Sequence, residues 1–376
     1  MSVRGAEVRV GWVRRTASPA TVIFISTRAA IWLAAAFALA WFPGHGSAFG
    51  TGLWLRADSN WFTSIARHGY GADPGEMPAF FPGYPALVAG LGRLLGDQYG
   101  LAGLLISLVA CWASFELLRR IALPRLGEAG ADRSVLYLAL FPMAVFLGAV
   151  YSESLFLALS LAAFLLAERP VPALASTAAG AATLTRSVGV AIVAGLAVMA
   201  WPSIRKLAWL LLVPAMFVAY PLTLHFQAHD AFAFSHAQVN WQRHFTWGGP
   251  FGGLWYGIRA LWHHTDNFSE RYYLAVNIEA LVFLFAFVAL LPLVWRRVGR
   301  AYAVFAAVAL AVPMTWPAST GDFPLFSMPR FTMLAFPCFI ALAVVGEKPS
   351  RHTAIVAGSA LLLGVAVVQW TLGQLA

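Results

Sequence analysis

The chain has 376 residues, of which 60% are hydrophobic and 11% are charged, and its mean hydropathy is +0.73. Soluble domains carry roughly 25% charged residues, and they lack repeated apolar runs of about 18 residues or more. The composition therefore excludes an ordinary soluble enzyme. It predicts an all-α polytopic membrane protein that forms one integral membrane domain over residues 1–376.

The net charge of +9 comes mostly from arginines in short loops between apolar runs. This placement indicates membrane orientation and argues against a nucleic-acid partner. The two cysteines, Cys111 and Cys338, each lie inside an apolar run. They predict neither a disulfide framework nor a cysteine-based metal site.

Taken in chain order, the apolar runs predict about eleven membrane-spanning helices. Several of these runs are short for a hydrocarbon core of about 30 Å, and the runs between residues 134 and 202 could be divided differently. The approximate predicted spans are 20–42, 98–120, 134–150, 152–168, 171–187, 188–202, 207–226, 273–295, 300–317, 330–346 and 352–374.

The positive-inside rule assigns the arginine-rich and lysine-rich loops to the cytoplasm. It also places the N-terminus there, because Arg14 and Arg15 precede the first span. The opposite side then holds two large loops, 43–97 and 227–272. These loops carry carboxylates, most of the histidines and many aromatic residues, which favours a working surface on the extracytoplasmic face of the membrane.

The first large loop contains the stretch "LRADSNWFTSIARHGYG". If Asp58 begins a helix as its N-cap, with Trp61, Phe62, Ile65 and His68 following at turn-like spacing, its carboxylate lies at the outer membrane surface beside an apolar, aromatic wall. Such a site suits a general base, and Arg56 and the helix N-terminus would stabilise its charged form. The alternative is that Asp58 only caps the helix. Further along, "FFPGYPALVAGLGRLLGD" has apolar residues at helical spacing, which predicts a second helix at the membrane surface.

Three later motifs place charged residues at or near the membrane boundary. In "VYSESLF", Tyr151 and Glu153 interrupt an apolar stretch, so Glu153 either faces a cavity or a partner, or is solvated in a polar hairpin at the outer surface. Arg186 in "TLTRSVG" and Arg330 in "SMPRF" could each hold a lipid phosphate, since a guanidinium presents several fixed donors. The alternative for Arg186 is an arginine that snorkels to the interface.

The second large loop contains "HDAFAFSHAQVNWQRHFTWGGPFGGLWYG". Aromatic faces beside amide donors, such as Trp241 and Gln238, suit the recognition of a sugar ring. The spacing of His225, His229 and His236 matches no strong zinc signature. The sequence therefore requires no cofactor and predicts no metal site, although it leaves open a divalent ion.

Together these motifs resemble the PIG-V family, relatives of the second mannosyltransferase of glycosylphosphatidylinositol synthesis, in a bacterial form. The family's WDxxWYxxIAxxGY and FFPxYP segments compare with "RADSNWFTSIARHGY" and "FFPGYP" here, and "YSESLF", "TRSVG", "SMPRF" and Pro337 follow in the family's order. The match runs from residue 54 to about 340. Two departures are Ala57 in place of the family's Trp and Phe62 in place of its Tyr.

The resemblance implies a GT-C architecture with a catalytic carboxylate in the first extracytoplasmic loop. It implies an inverting transfer of mannose from a polyprenyl-phosphate donor to an acceptor hydroxyl on a glycan, a lipid or a protein. Asp58 would be the base, Arg330 and Arg186 would hold the donor phosphate, and Glu153 would support the site. Two alternatives stay open: a different polyprenyl-phosphate sugar, or a transporter of lipid or sugar.

Overall fold

The computed structural model describes residues 17–42, 44, 50–262 and 268–375, and for residues 268–270 it describes the backbone only. The N-terminal arginines on which the predicted orientation partly rests lie outside these ranges. Within them, the regular structure is entirely helical. The α-helices are α1 (Pro19–Trp41), α2 (Asp58–His68), α3 (Gly83–Leu94), α4 (Tyr99–Ala139), α5 (Glu153–Ala167), α6 (Pro172–Thr183), α7 (Val190–Ala200), α8 (Ile204–Trp209), α9 (Leu212–Phe217), α10 (Ala219–Ala228), α11 (Ala233–His236), α12 (Gly249–Arg259), α13 (Phe268–Arg297), α14 (Arg300–Thr315), α15 (Met328–Leu334), α16 (Pro337–Val345) and α17 (Pro349–Thr371).

Short 3₁₀ helices occupy several of the connections. They cover Gly52–Trp54, Tyr70–Ala72, Met77–Ala79, Pro142–Gly148, Ser187–Gly189, Ala237–Val239 and Ala260–Trp262. Five of these seven lie before α8, in the part of the chain that also contains the first predicted loop.

Five helical segments of the described chain are long and apolar enough to cross a membrane. They are α1, α4, the run Ile204–Ala228, the part of α13 from Arg271 to Arg297, and α17. Two further pairs qualify only as bent spans, because Pro142–Gly148 meets α5 at 92° and α15 meets α16 at 86°. The structure therefore supports five to seven long spans, together with the shorter apolar helices Ser187–Ala200 and Arg300–Thr315, and does not confirm the predicted eleven.

Proline explains why two predicted spans are not straight. The predicted span 134–150 leaves α4 at Ala139 and continues as a 3₁₀ helix that starts with Pro142. The predicted span 330–346 breaks at Ala335, two residues before Pro337. A proline restricts the residue before it and donates no backbone hydrogen bond, so each helix stops. Both breaks lie where the charged motifs were predicted.

The segment between α1 and α4 contains α2 and α3, which fits the predicted loop with surface helices. The helix α3 packs on α2 and α4, and its start is fixed because Gly83 N–H donates to Leu184 O over 2.7 Å. A Cβ at Gly83 would lie 2.8 Å from the same oxygen, so this close approach requires glycine. The contact holds the first loop against the segment that leads to Arg186.

The start of α2 is held by the core of the helical bundle. Trp54 is fully buried, and its carbonyl accepts a hydrogen bond from Val150 N–H over 3.1 Å. Trp370 in α17 donates its indole N–H to Leu53 O over 3.0 Å. The first residue of α2, Asp58, is thereby fixed next to the bent pair that leads into α5.

Candidate active site

Asp58 is the first residue of α2, and its carboxylate does not cap the helix. The N-cap position is occupied by Ala57, whose φ of 47° is unusual for a residue with a side chain, and no side-chain cap bond forms. Instead, Asp58 Oδ2 accepts a hydrogen bond from Arg330 Nη2 over 3.0 Å. The predicted N-cap role of Asp58 is therefore wrong, because a buried arginine takes the place of the backbone donor.

Arg330 bridges the two carboxylates of the site. Its Nη2 reaches Asp58, and its Nε donates to Glu153 Oε1 over 2.8 Å. The guanidinium carbon lies 4.7 Å from the ring centre of Phe146 and 5.0 Å from that of Tyr151. The fork of donors and the two aromatic rings fix both the position and the plane of the guanidinium.

Glu153 is the first residue of α5, and its side chain is fully buried. One oxygen, Oε1, also accepts from Arg186 Nη1 over 2.7 Å, so a single atom holds two arginines. Arg186 Nη1 donates in addition to Ser152 Oγ over 3.2 Å. The structure thus excludes the solvated hairpin for Glu153, which is buried against two arginine partners and is absent from the described lining of the cavity, and Arg186 points inward instead of snorkelling.

Tyr151 connects the start of α2 to the arginine cluster. Its hydroxyl accepts a hydrogen bond from Asp58 N–H over 3.1 Å and donates to Arg56 O over 3.2 Å. The same ring packs edge-on against Phe62, with the centroids 6.1 Å apart. Tyr151 therefore positions the backbone that presents Asp58, and Phe62, which departs from the family pattern, packs within this aromatic shell.

Asp58, Arg186 and Arg330 border a cavity of about 390 Å³ between the first loop, the second loop and the two bent helix pairs. Gln238 and Trp241 of the second loop also line it. The Asp58 side chain keeps 23% of its surface exposed, whereas Arg330 keeps 7%. The carboxylate is therefore the more accessible partner of this ion pair.

Arg243 also lines this cavity, and sequence reasoning did not select it. Its guanidinium carbon lies 5.9 Å from the ring centre of Phe331, and that of Arg186 lies 5.3 Å from the same ring. Within the described ranges, the Arg243 guanidinium has no carboxylate partner. Burial, and after it the charge of Arg330, lowers the pKa of Arg243 to about 10, so the side chain still carries its proton at neutral pH.

Three further predicted residues do not belong to the described lining of the cavity. Trp61 stacks on Phe80 at 6.0 Å and meets Trp241 edge-on at 6.1 Å, so it supports the aromatic wall from behind. Arg56 contributes its backbone carbonyl to Tyr151 and is absent from the described lining of the cavity. His68 lies at the far end of α2, away from Asp58.

The described histidines of the second loop pair locally or stand apart. His236 Nδ1 lies 2.6 Å from Asp230 Oδ2 as a local pair, and His229 ends α10 in the left-handed conformation. In the part of the chain that the structure describes, no group of three or more His, Cys, Asp or Glu residues is placed to hold a metal ion.

Comparisons with known proteins identify the class of fold. No protein-family model matches the chain, and no curated protein matches it in sequence. The solved structure of ArnT from Cupriavidus metallidurans bound to undecaprenyl phosphate is similar, with a TM-score of 0.52 and 16% identity over 92% of this chain. The structure of the same protein in the apo state aligns with a TM-score of 0.47 and 15% identity over 90% of this chain.

The chain has the GT-C-type fold, in an all-α polytopic membrane protein. It spans 64% of the length of the ArnT structure bound to undecaprenyl phosphate. The fold expected from the sequence resemblance is therefore confirmed. Membership of the PIG-V family stays a prediction.

Proposed function

We propose that this chain is an inverting glycosyltransferase that moves a mannosyl residue from a polyprenyl-phosphate donor to an acceptor hydroxyl. The observation that carries the proposal is the ion pair of Asp58 with Arg330 at the wall of a cavity in a GT-C fold. A partly exposed carboxylate and a buried guanidinium then stand side by side. The pair supplies a base for the acceptor and a cation for the leaving phosphate.

Asp58 acts as the general base. Its Oδ1 has no hydrogen-bond partner in the described part of the chain, and the carboxylate faces the cavity. The acceptor hydroxyl gives its proton to Asp58 while its oxygen attacks the anomeric carbon. The bond from that carbon to the phosphate oxygen breaks in the same step, so a β-linked mannosyl phosphate gives an α-mannoside.

The site has a net charge of +1, because three arginines stand with two carboxylates. The arginines are Arg186, Arg243 and Arg330, and the carboxylates are Asp58 and Glu153. A polyprenyl-phosphate sugar is a phosphodiester with a single negative charge, which balances this excess. As the sugar departs, the phosphate gains a second charge. Fixed guanidinium donors stabilise that charge without reorganising.

The aromatic part of the cavity wall suits a sugar ring. Trp241 and Phe80 pack edge-on with their centroids 5.5 Å apart, and both line the cavity. The Trp241 indole N–H is buried without a hydrogen-bond partner in the described structure, which makes it an unsatisfied donor next to the cavity wall. Gln238 also lines the cavity, and its amide nitrogen donates a hydrogen bond to Phe234 O over 3.2 Å.

The likeness to ArnT supports a lipid-linked donor, because that structure contains undecaprenyl phosphate. A donor of this kind keeps its chain in the bilayer and needs no nucleotide-binding domain. The arginine-rich loops support a cavity on the extracytoplasmic face of the cytoplasmic membrane. The acceptor is a glycan, a lipid or a protein that presents a hydroxyl on that face.

The test is a transfer assay with purified protein and short-chain polyprenyl phosphates that carry radiolabelled mannose, glucose, arabinose or galactose. A membrane extract supplies the acceptor. We expect labelled product chiefly from the mannose donor. Preference for another sugar would remove the mannosyl assignment and keep the enzyme, whereas movement of label across vesicles without a new glycosidic bond would replace the enzyme with a transporter.

A further inference from the structure

The other end of α2 borders a second pocket, of about 520 Å³. Its walls come from the end of α2 and the Gly69–Gly71 turn, from α3, and from α10. Among the described residues, it shares no lining side chain with the cavity that holds Asp58. The full lining is Ile65, Ala66, Arg67, His68, Gly69, Tyr70, Gly71, Pro82, Pro85, Ala86, Ala89, Arg93, Thr223 and Gln227.

The charged groups of this pocket are all basic. Arg67, His68 and Arg93 line it, and no Asp or Glu is among the described residues of its wall. Arg67 rests over the Tyr99 ring at 5.1 Å, and neither arginine has an ion-pair partner within the described ranges. Two unpaired guanidiniums at one pocket favour an anion, above all one with several oxygens that can accept forked donors.

The backbone turn at Gly69–Gly71 packs closely against Gln227 of α10. Gln227 Oε1 accepts from Tyr70 N–H over 2.9 Å. A Cβ at Gly69 would lie 2.7 Å from that oxygen, and one at Gly71 would lie 3.0 Å from Gln227 O. Gly69 also has a φ of 73°, so glycine is needed for conformation and for space. This contact fixes the distance between the end of α2 and α10.

Two of the helices that form this pocket, α3 and α10, also carry exposed apolar side chains. On α10, Leu222 and Phe226 are 51% and 75% exposed, each next to a lining residue. On α3, Leu87 and Leu94 are 49% and 83% exposed, again beside lining residues. In a membrane protein such faces contact acyl chains, and α10 belongs to a candidate span. A basic pocket between helices that expose apolar side chains suits a molecule with an anionic head group and apolar tails.

We propose that this second pocket binds the phosphate head group of an anionic membrane lipid, with the acyl chains along α3 and α10. The phosphate oxygens accept from Arg67 and Arg93, and His68 lies beside them. The site is separate from the proposed donor cavity and does not depend on its function. The helix α2 connects the two, since its 11 residues set His68 about 15 Å from Asp58 along the axis.

The experiment compares retention of phosphatidylglycerol and phosphatidylcholine with identical acyl chains by the purified full chain, counted by native mass spectrometry. We expect the wild type to retain phosphatidylglycerol preferentially. The double variant Arg67→Gln/Arg93→Gln should lose that preference by roughly tenfold, because two charges leave the head-group site. The matched control Arg205→Gln/Arg297→Gln removes two exposed arginines elsewhere and should keep the preference within about twofold.

Two further arms make the result decisive. The variant Arg67→Lys/Arg93→Lys keeps the charge and should keep most of the preference, which separates lost charge from damaged folding. Inorganic phosphate in excess should leave lipid retention unchanged, since it lacks the acyl contacts. The proposal is overturned if phosphate displaces the lipid, if the control loses as much preference as the glutamine variant, or if the glutamine variant still prefers phosphatidylglycerol.

Discussion

The two ends of α5 each hold a glutamate that is paired with an arginine, and they do so in different surroundings. Glu153 begins the helix with no exposed side-chain surface, while Glu168 follows its last residue with 29% of the side chain exposed. Glu168 pairs with Arg125 and accepts from Tyr302 Oη over 2.8 Å. One helix thus carries a buried ion cluster and a partly solvated one, about 22 Å apart.

The difference in burial changes what each cluster contributes. Partly solvated ion pairs are worth about 0–1 kcal/mol, because water screens them. Buried charges cost several kcal/mol each to desolvate, and apolar residues of similar volume often give equal or greater stability. The pair at Glu168 therefore fastens α5 to α4 and α14 at small gain. The cluster at Glu153 has no comparable structural advantage, and its place beside a cavity indicates a functional role.

The largest expected effect on stability comes from Glu153→Gln. This substitution keeps the shape of the side chain but leaves Arg186 and Arg330 with one carboxylate between them, inside the protein. Breaking a buried pair in this way costs about 3–5 kcal/mol. We expect a loss of that size in the free energy of unfolding, measured by denaturant titration in detergent, together with loss of transfer activity. A stability within about 1 kcal/mol of wild type would contradict the assignment of a buried, charged Glu153.

A smaller effect is expected for Arg243→Gln, and it should fall on donor binding. Arg243 lines the cavity without a carboxylate partner, so its removal leaves no buried charge unpaired. Losing one charge-assisted contact to the donor phosphate should raise the KM for the donor roughly tenfold, with kcat changed less. Steady-state kinetics at varied donor concentration measures this split. An unchanged KM would exclude Arg243 from the phosphate site.

The smallest effect is expected for Glu168→Gln at the other end of α5. The glutamine can still accept from Tyr302, and the pair with Arg125 is partly solvated. We expect a loss of at most about 1 kcal/mol in unfolding free energy and unchanged transfer activity. This variant is the matched control for Glu153→Gln, since both remove one glutamate charge from the same helix. A large loss of activity would show that the two ends are not independent.

Much of the site could be predicted because its charged residues stand out in an apolar chain. Asp58, Glu153, Arg186 and Arg330 are distant in sequence, and all four were selected from their apolar surroundings. The structure joins them in one chain of three ion-pair contacts, from Asp58 through Arg330 and Glu153 to Arg186. Ionisable residues near the membrane are costly and therefore carry a clear signal.

The remaining features depend on tertiary packing. Arg243 lies in a polar loop rich in aromatic residues, where one arginine is unremarkable, and only its approach to Phe331 brings it to the cavity. The bends before α5 and α16 could not be predicted from the apolar runs, because hydropathy contains no information about the direction in which a helix runs. A proline at 142 and one at 337 were the available signals for both breaks.

The most direct measurement is the rate of mannosyl transfer by Asp58→Asn at saturating donor, beside Asp230→Asn as the matched control. Asp230 is an aspartate of the second loop that pairs with His236 outside the cavity. The account predicts at least about a hundredfold loss of kcat for Asp58→Asn with polyprenyl-phosphate binding retained, and a near-normal rate for Asp230→Asn. A rate for Asp58→Asn equal to that of the wild type would contradict the assignment of Asp58 as the base.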